Sequence, residues 1–126
     1  MRCLNSDSRL KLIKTSLEKA VDLQLEHVIF DCKQIRDRVR YVQFSLDYEE
    51  NVAVLDVPFI ELSKIELIRA ERVIKKNASD ITEKNNGSFQ KAFAIDNMDE
   101  ASQMVEKIFR SVFLFPSDYS ITVEYV

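Results

Sequence analysis

His27 is the residue of this chain best suited to acid–base chemistry near neutral pH, because imidazole has the ordinary side-chain pKa closest to neutrality. It is the single histidine, and Glu26 and Asp31 stand close to it along the chain. A general base also needs an oriented nucleophile or substrate, and the sequence reveals neither. We therefore take His27 and Asp31 as a candidate polar site, although the sequence favours a polar residue at the boundary of an element over a catalytic base.

The residues that could hold a metal ion lack the spacing of a metal site. His27, Cys3 and Cys32 are the soft or borderline ligands, and no Cys-x-x-Cys or His-x-x-x-His pattern contains them. The acidic stretch from Asp47 to Glu50 lacks the glycine that turns a calcium loop, so a solvated hairpin turn is the favoured interpretation. The sequence thus predicts no metal site.

Gly87 is the one glycine of the chain, which excludes cofactor sites built on glycine-rich turns. Phosphate cradles and dinucleotide-binding turns use several glycines, because glycine lets the backbone approach a pyrophosphate or adopt positive φ freely. The sequence contains no P-loop, dinucleotide fingerprint, kinase loop or nucleophile elbow. We expect no bound cofactor.

The balance of charge is mildly acidic, since 18 Lys and Arg against 21 Asp and Glu give a net charge of −3 at pH 7. A protein that binds a phosphate backbone gains its affinity mainly from clustered positive charge, so this balance argues against a nucleic-acid partner. The alternative is contact with an acidic partner or RNA through one basic run, which consists of Lys33, Arg36, Arg38 and Arg40.

The best interaction signal is the run Val112-Phe113-Leu114-Phe115. Four successive apolar residues cannot all face inward from one helix end, so part of this run is expected at the surface or beneath another chain. The predicted terminal strand reaches the last residue of the sequence, and its uncovered edge invites pairing with another chain. These features predict a homodimer whose interaction surface is drawn from Phe113, Leu114, Phe115, Tyr119 and Tyr125.

Hydrophobic periodicity predicts the elements that must position these residues. Apolar residues at three- and four-residue spacing predict a helix over residues 8–25. Residues 27–32 are either a continuation of that helix or a short strand, and their β-branched and aromatic side chains favour the strand. Alternating apolar and polar residues then predict a β-hairpin of strands 39–47 and 51–57.

The second half of the chain alternates helices with strands. Ser63-Lys64-Ile65-Glu66 matches a capping box, which predicts that a helix begins there. Alternation predicts a strand over 88–95, and a broad apolar stripe predicts a helix that begins at Asn97 and ends near Phe113. A terminal strand follows at 119–125.

This order of elements indicates a single α+β domain over residues 1–126, with residues 1–7 as a flexible N-terminus. We expect two layers, in which a mixed β-sheet of four to five strands, including the 39–57 hairpin, is packed on one face by about three helices. Crossover connections in the second half are the reason for expecting some parallel pairing. No apolar run is long enough to cross a membrane, and the absence of a secretory signal indicates a cytoplasmic protein with reduced cysteines.

The lack of a recognisable catalytic constellation favours a small non-enzymatic protein-interaction module of the adaptor, chaperone-like or immunity type. Its protein partner is not identified by the sequence. The alternatives are a small cofactor-independent enzyme and a ligand-sensing regulatory domain. A deep polar pocket that holds His27 and a carboxylate would favour the enzyme, whereas an exposed apolar sheet face or groove would favour the interaction module.

Overall fold

The computed structural model describes residues 5–32, 40–58, 62–77, 82–85 and 88–126. In chain order its elements are α1 (Ser6–Asp22), β1 (His27–Cys32), β2 (Arg40–Asp47), β3 (Val52–Pro58), α2 (Lys64–Asn77), β4 (Thr82–Asn85), β5 (Ser88–Ala94), α3 (Met98–Lys107), a π-helical turn (Ile108–Val112) and β6 (Thr122–Tyr125). Residues 1–4 of the predicted flexible terminus and Lys33, Arg36 and Arg38 of the basic run lie outside the described residues.

Helix α1 begins at Ser6, two residues before the predicted start. Asn5 caps it, because its side-chain oxygen accepts the backbone N–H of Ser8 at 2.8 Å and satisfies a donor that the helix leaves unpaired. Ser6 and Asp7, which the sequence analysis assigned to the N-terminal segment, are therefore helical.

A left-handed residue ends α1 and decides between the two interpretations of residues 27–32. Gln24 has a φ of 55°. The N–H of Leu25 bonds to the carbonyl of Ala20 at 2.9 Å, and the N–H of Gln24 bonds to that of Val21 at 3.0 Å. These two bonds form a Schellman motif, which turns the chain off the helix axis. The chain then enters β1, so the preferred strand interpretation is confirmed.

Six strands form one sheet in the order β4-β5-β3-β2-β1-β6, with three helices packed on it, so the predicted α+β class is confirmed. The predicted mixture of strand directions is wrong, because every described pair is antiparallel. The connections through α2 and α3 do join strands of the same direction, β3 to β4 and β5 to β6, but other strands lie between them. Strands joined through a helix here run in the same direction, as the sequence order suggests. Parallel pairing also requires that the two strands be neighbours in the sheet, and these are not.

The predicted hairpin is confirmed, with Asp47 of β2 paired to Val52 of β3 at its closed end. The Asp47 side chain shapes the turn, since its Oδ1 accepts the backbone N–H groups of Glu49 and Glu50 at 3.1 Å each. Asn51 completes the turn with a φ of 57°, a conformation that asparagine tolerates better than most residues. The acidic stretch is therefore a hairpin turn, as the sequence favours.

The capping box of α2 is also confirmed. Ser63 Oγ accepts the backbone N–H of Glu66 at 3.2 Å, and Glu66 Oε1 accepts that of Ser63 at 2.9 Å. The same carboxylate takes two hydrogen bonds from the Arg40 guanidinium of β2, at 3.0 and 3.2 Å. One glutamate thus starts the helix and fastens it to the sheet.

The hydrophobic core lies between the sheet and the helices, on one face of the sheet. Alternate strand residues such as Phe30, Phe44 and Leu55 are fully buried there, in one cluster with the buried sides of all three helices. Tyr125 of β6 lies on this face too, and its hydroxyl is 3.5 Å from the carbonyl of Ser16 in α1. The helices therefore cover one face and leave the other without a described helix.

Candidate functional site

The helix-free side of the sheet, called the open face below, is formed by the strand residues that alternate with the core residues. Cross-strand register defines it: His27 pairs with Ser45, and Gln43 pairs with Asp56, which pairs with Gln90. Its apolar residues include Ile29, Tyr41, Val52, Val54 and Ala92, and Ile29, Val52 and Val54 do not belong to the core cluster. The open face therefore presents apolar side chains that the chain's own core does not use.

The structure places His27 and Asp31 on this open face but does not bring them together. They are four residues apart on the same strand, which separates their Cα atoms by about 13 Å. The Nδ1 atom of His27 lies 3.2 Å from Ser45 Oγ and 3.4 Å from Gln43 Nε2. An imidazole between a hydroxyl and an amide has hydrogen-bond partners, but neither of these groups orients it as a base in the way that a carboxylate would.

Asp56 lies near the middle of the open face, on β3, between two amide side chains in register. Gln43 of β2 is on one side and Gln90 of β5 on the other. Among the described residues, the Oδ1 atom of Asp56 has no hydrogen-bond partner although it is shielded from solvent. A shielded carboxylate oxygen without a donor is costly, and it is a position where a donor from outside the chain would be stabilising.

The charges of the open face have one sign. Its described strand residues include the carboxylates of Asp31, Asp47, Asp56 and Glu124, together with His27, but no Lys or Arg. The chain as a whole carries 18 Lys and Arg against 21 Asp and Glu, so this bias is not a property of the whole composition. The open face is thus acidic on a protein that is close to balanced.

The structure corrects the interaction surface expected from the C-terminal aromatic residues. Phe113, Phe115 and Tyr119 are each at most 1% exposed, so they belong to the core rather than to a free surface. Their rings pack around Phe109, with ring centroids 5.2 to 5.7 Å apart. Tyr125 is half-buried against α1, which leaves Leu114 as the one residue of the expected surface that is largely exposed.

A change of backbone geometry allows both Phe113 and Phe115 to face inward. The helix widens into the π-helical turn, where the N–H of Phe113 bonds to the carbonyl of Ile108 at 3.0 Å. Leu114 then has a φ of 58°, which turns the chain off the helix axis. The N–H of Phe115 bonds back to the carbonyl of Phe109 at 3.0 Å. The expectation that the four residues could not all face inward is confirmed, since Leu114 is 58% exposed. The irregular helix end places the other three residues of the run in the core.

Arg9 forms a polar cluster inside the molecule that the sequence did not reveal. It is fully buried, and its guanidinium donates to both carboxylate oxygens of Glu106, from Nε at 2.9 Å and from Nη2 at 2.7 Å. Its Nη1 atom donates to the carbonyls of Ser117 and Tyr119, at 2.7 and 3.1 Å. The guanidinium carbon also lies 4.0 Å from the centre of the Tyr119 ring. This cluster fastens α1, α3 and the segment before β6 to one another.

The electrostatics of this cluster favour the ionised pair. Burial alone would raise the pKa of Glu106, but hydrogen bonds from Arg9 and Tyr119 outweigh it and hold the pKa below its ordinary value. Burial likewise would lower the pKa of Arg9, but Glu106 raises it above the ordinary value. Burial and the neighbouring Glu106 carboxylate raise the pKa of Tyr119, whose hydroxyl donates to Glu106 at 2.8 Å. All three guanidinium nitrogens of Arg9 and both carboxylate oxygens of Glu106 form hydrogen bonds, so the cluster is structural. The available signal was position, since Arg9 precedes Ile13 and Leu17 on the buried stripe of α1.

A shallow surface cavity of about 240 Å³ lies between α1 and α3 and is lined by Leu10, Lys11, Lys14, Asp99, Ser102 and Gln103. Lys14 Nζ and Asp99 Oδ1 form an ion pair across it at 2.9 Å, and both side chains are well exposed. Exposed ion pairs contribute little to stability or binding. The cavity does not contain His27, so it is not the deep polar pocket that would favour an enzyme.

Within the described residues, no three His, Cys, Asp or Glu side chains are grouped so that they could hold a metal ion. The described helices are also too short or too polar to cross a membrane. The open face therefore remains as the candidate functional site. Neither a family model, nor a curated protein, nor a solved structure matches this chain.

Proposed function

We propose that this chain is a small cytoplasmic, non-enzymatic protein-interaction module that binds a basic protein surface through its open face. The observation that carries the proposal is the segregation of charge: Asp47, Asp56 and Glu124 lie on that face, and its described residues include no Lys or Arg. A surface of one sign steers a partner of the opposite sign and disfavours partners of the same sign. The favoured partner surface is therefore rich in Lys and Arg.

The apolar residues of the open face support docking over simple exposure to water. An antiparallel sheet with one solvated face is common, and that face is then mainly polar. Here Ile29, Val52 and Val54 interrupt the polar residues without joining the core cluster. A partner that covers them gains apolar burial, while its basic groups neutralise the surrounding carboxylates.

Asp56 supplies a specific anchor for such a partner. Its Oδ1 atom has no hydrogen-bond partner among the described residues, and the side chains of Gln43 and Gln90 flank it. A lysine or arginine of the partner would complete a charge-assisted hydrogen bond of roughly 1.5–3 kcal/mol. The same group would also remove the free-energy cost of an Asp56 Oδ1 atom that is shielded from solvent without a donor.

The test is affinity capture from cells that express the protein, followed by reconstitution with the captured protein in purified form. Val54→Lys places a positive charge on the open face, and Asp56→Asn removes its central carboxylate. Gln103→Lys, at an exposed position of α3, is the matched control because it adds the same charge away from the sheet.

We expect Val54→Lys to weaken the reconstituted complex by at least tenfold and Asp56→Asn to weaken it less, while Gln103→Lys leaves it unchanged. Binding to wild type should also fall as salt rises, because screening weakens attraction between opposite charges. A partner that binds all three variants equally, or affinity that is independent of salt, would show that the open face is not the binding site.

Homodimerisation is part of the same proposal, and β6 at the edge of the sheet is its site. His27 and Val126 exchange both backbone hydrogen bonds, at 3.0 and 3.2 Å. Antiparallel alternation then directs the N–H and C=O groups of Val123 and Tyr125 away from β1, towards the outer edge of the described sheet. A two-fold pairing of β6 with a second copy would place Val123 opposite Tyr125 and Glu124 opposite Glu124.

Sedimentation velocity at tens of micromolar tests this dimer with two variants of opposite effect. Val123→Pro removes an outward N–H without breaking a bond to β1, so it should give a monomer with little loss of stability. Glu124→Gln removes like charges that face each other, so it should tighten the dimer. A monomeric wild type, or a Val123→Pro variant that still dimerises, would exclude pairing at β6.

A further inference from the structure

A second surface of the molecule exposes apolar side chains on α2. Ile65 is 58% exposed and Ile68 is 57% exposed. Residues three apart are neighbours on a helix surface, so these two side chains form one apolar pair. They point away from the core because Glu66, Ala70 and Ile74 occupy the buried side of the same helix.

The π-helical turn that leads to Leu114 packs against α2. The Nε atom of Arg69, one helical turn after Ile65, donates to the carbonyl of Val112 at 3.0 Å. Leu114 follows two residues later and is 58% exposed. We refer to Ile65, Ile68 and Leu114 as the α2–Leu114 surface, and it lies on the side of the molecule away from the open face.

The backbone of Leu114 gives a second and independent observation. Its φ of 58° lies in the left-handed region, where a side chain larger than that of glycine is unfavourable. Helices commonly end with glycine at this position because glycine avoids the cost. Leu114 adopts this unfavourable backbone conformation, yet most of its side chain is not buried by its own chain. An apolar contact with a partner would give this leucine the burial that its own chain does not provide.

The charges around this surface define its occupant. Lys64 and Arg72 are exposed on the same side of α2, with Arg69 half-buried beside them. Glu66 is turned inward and bound to Arg40, so among the described residues of α2 the half-buried Glu71 is the one carboxylate left to offset these three positive charges. A second copy docked two-fold on this surface would bring these like charges together, which argues against self-association here.

We propose that the α2–Leu114 surface binds an acidic segment of a partner protein, one in which Asp or Glu residues flank two or three apolar anchor residues. The apolar anchors contact Ile65, Ile68 and Leu114, and the carboxylates contact Lys64 and Arg72. This goes beyond the proposed function, since it assigns a separate site with the opposite charge preference on the other side of the molecule.

The experiment is selection of random 16-residue peptides displayed on phage, with the purified full chain as bait. Enriched peptides are then synthesised, and their affinities are measured in solution by fluorescence polarisation. Leu114→Gly and Ile68→Asn test the surface. Leu23→Asn is the matched control, because Leu23 is 59% exposed at the end of α1. Val54→Lys reports on binding at the open face.

We expect net-acidic peptides whose apolar residues are spaced three or four apart. Leu114→Gly and Ile68→Asn should weaken their binding at least tenfold, while Leu23→Asn and Val54→Lys leave it unchanged. Leu114→Gly should at the same time keep or raise the melting temperature, because glycine relieves the left-handed backbone. Lost binding together with retained stability cannot come from misfolding.

Three results would overturn the proposal: no enriched peptide, enriched peptides without net negative charge, or equal binding to wild type and Leu114→Gly. Loss of binding in Val54→Lys but not in Leu114→Gly would move the site to the open face and would also overturn it. None of these results bears on capture of a basic partner by the open face, so this proposal and the proposed function can fail separately.

Discussion

Replacing Glu106 by glutamine should test whether the Arg9 cluster stabilises the fold. Glu106→Gln keeps the size of the side chain but removes the negative charge and one of the two acceptors that Arg9 uses. Arg9 is fully buried, so its positive charge would lose its counter-charge inside the protein. The remaining acceptors would be the carboxamide oxygen and two backbone carbonyls, those of Ser117 and Tyr119.

Breaking a buried ion pair by removing one partner costs about 3–5 kcal/mol. The lower end applies here, about 3 kcal/mol, because the Glu106 side chain is 13% exposed and Arg9 keeps its two hydrogen bonds to backbone carbonyls. For a chain of 126 residues, each kcal/mol corresponds to a change in melting temperature of about 4 °C. Glu106→Gln should therefore melt about 12 °C below wild type.

The dependence on pH follows from the direction of the pKa shift. Since the pKa of Glu106 is lower in the folded than in the unfolded chain, its stabilisation is complete above the unfolded value, about 4.3. It is lost as the pH falls through the folded value. The difference in unfolding free energy between wild type and Glu106→Gln should thus stay constant from pH 7 to about pH 5 and shrink below about pH 4.

Urea unfolding at several pH values measures both effects, with Glu18→Gln as a control at an exposed position of α1. The control should stay within about 0.5 kcal/mol of wild type. If Glu106→Gln were as stable as the control at pH 7, or if the difference grew as the pH fell, the reasoning about the Arg9 cluster would be refuted.

Three further predictions concern the capping box, the histidine and metal ions. Ser63→Ala should lower the free energy of unfolding by about 1 kcal/mol, because the Glu66 N–H loses its side-chain acceptor. Ser63→Asp supplies another acceptor and should keep most of the wild-type stability. Equal urea midpoints for the two variants would contradict this. His27→Ala should lower the free energy of unfolding by at most about 1.5 kcal/mol, since the His27 contacts to Gln43 and Ser45 are hydrogen bonds without a charged partner. An enzymatic activity of the purified protein that disappears in this variant would contradict the non-enzymatic proposal. EDTA should leave the melting temperature unchanged, because the described residues contain no group of ligands for a metal, and a clear drop would reveal a structural ion.

Local signals in the sequence were sufficient for most of the elements. The capping box of Ser63 and Glu66, the hairpin at Asp47 and the alternation of β5 each depend on residues a few positions apart. The boundaries were less accurate where a cap or a left-handed residue decided them. Asn5 moved the start of α1, and Gln24 ended the helix without the glycine that would have marked its end.

The candidate sites were harder to predict because their residues come from distant parts of the chain. His27 and Asp31 were found by residue type, but the amide and hydroxyl neighbours of His27 come from another strand. The charge of the open face follows from the register of five strands. A shift of one residue in that register would have turned every one of these side chains to the core.

The sequence by itself determined the class of the fold, its helices and most of its strands, because hydrophobic periodicity and capping act within a few residues. The tertiary structure alone decided which strands became neighbours, which face of the sheet the helices left open, and which aromatic residues were buried. Phe113 and Phe115 became core residues because a π-helical turn and a left-handed Leu114 turned the chain off the helix axis. Arg9 and Glu106 are 97 positions apart in the sequence, and a contact at that separation depends on tertiary packing that no local pattern encodes.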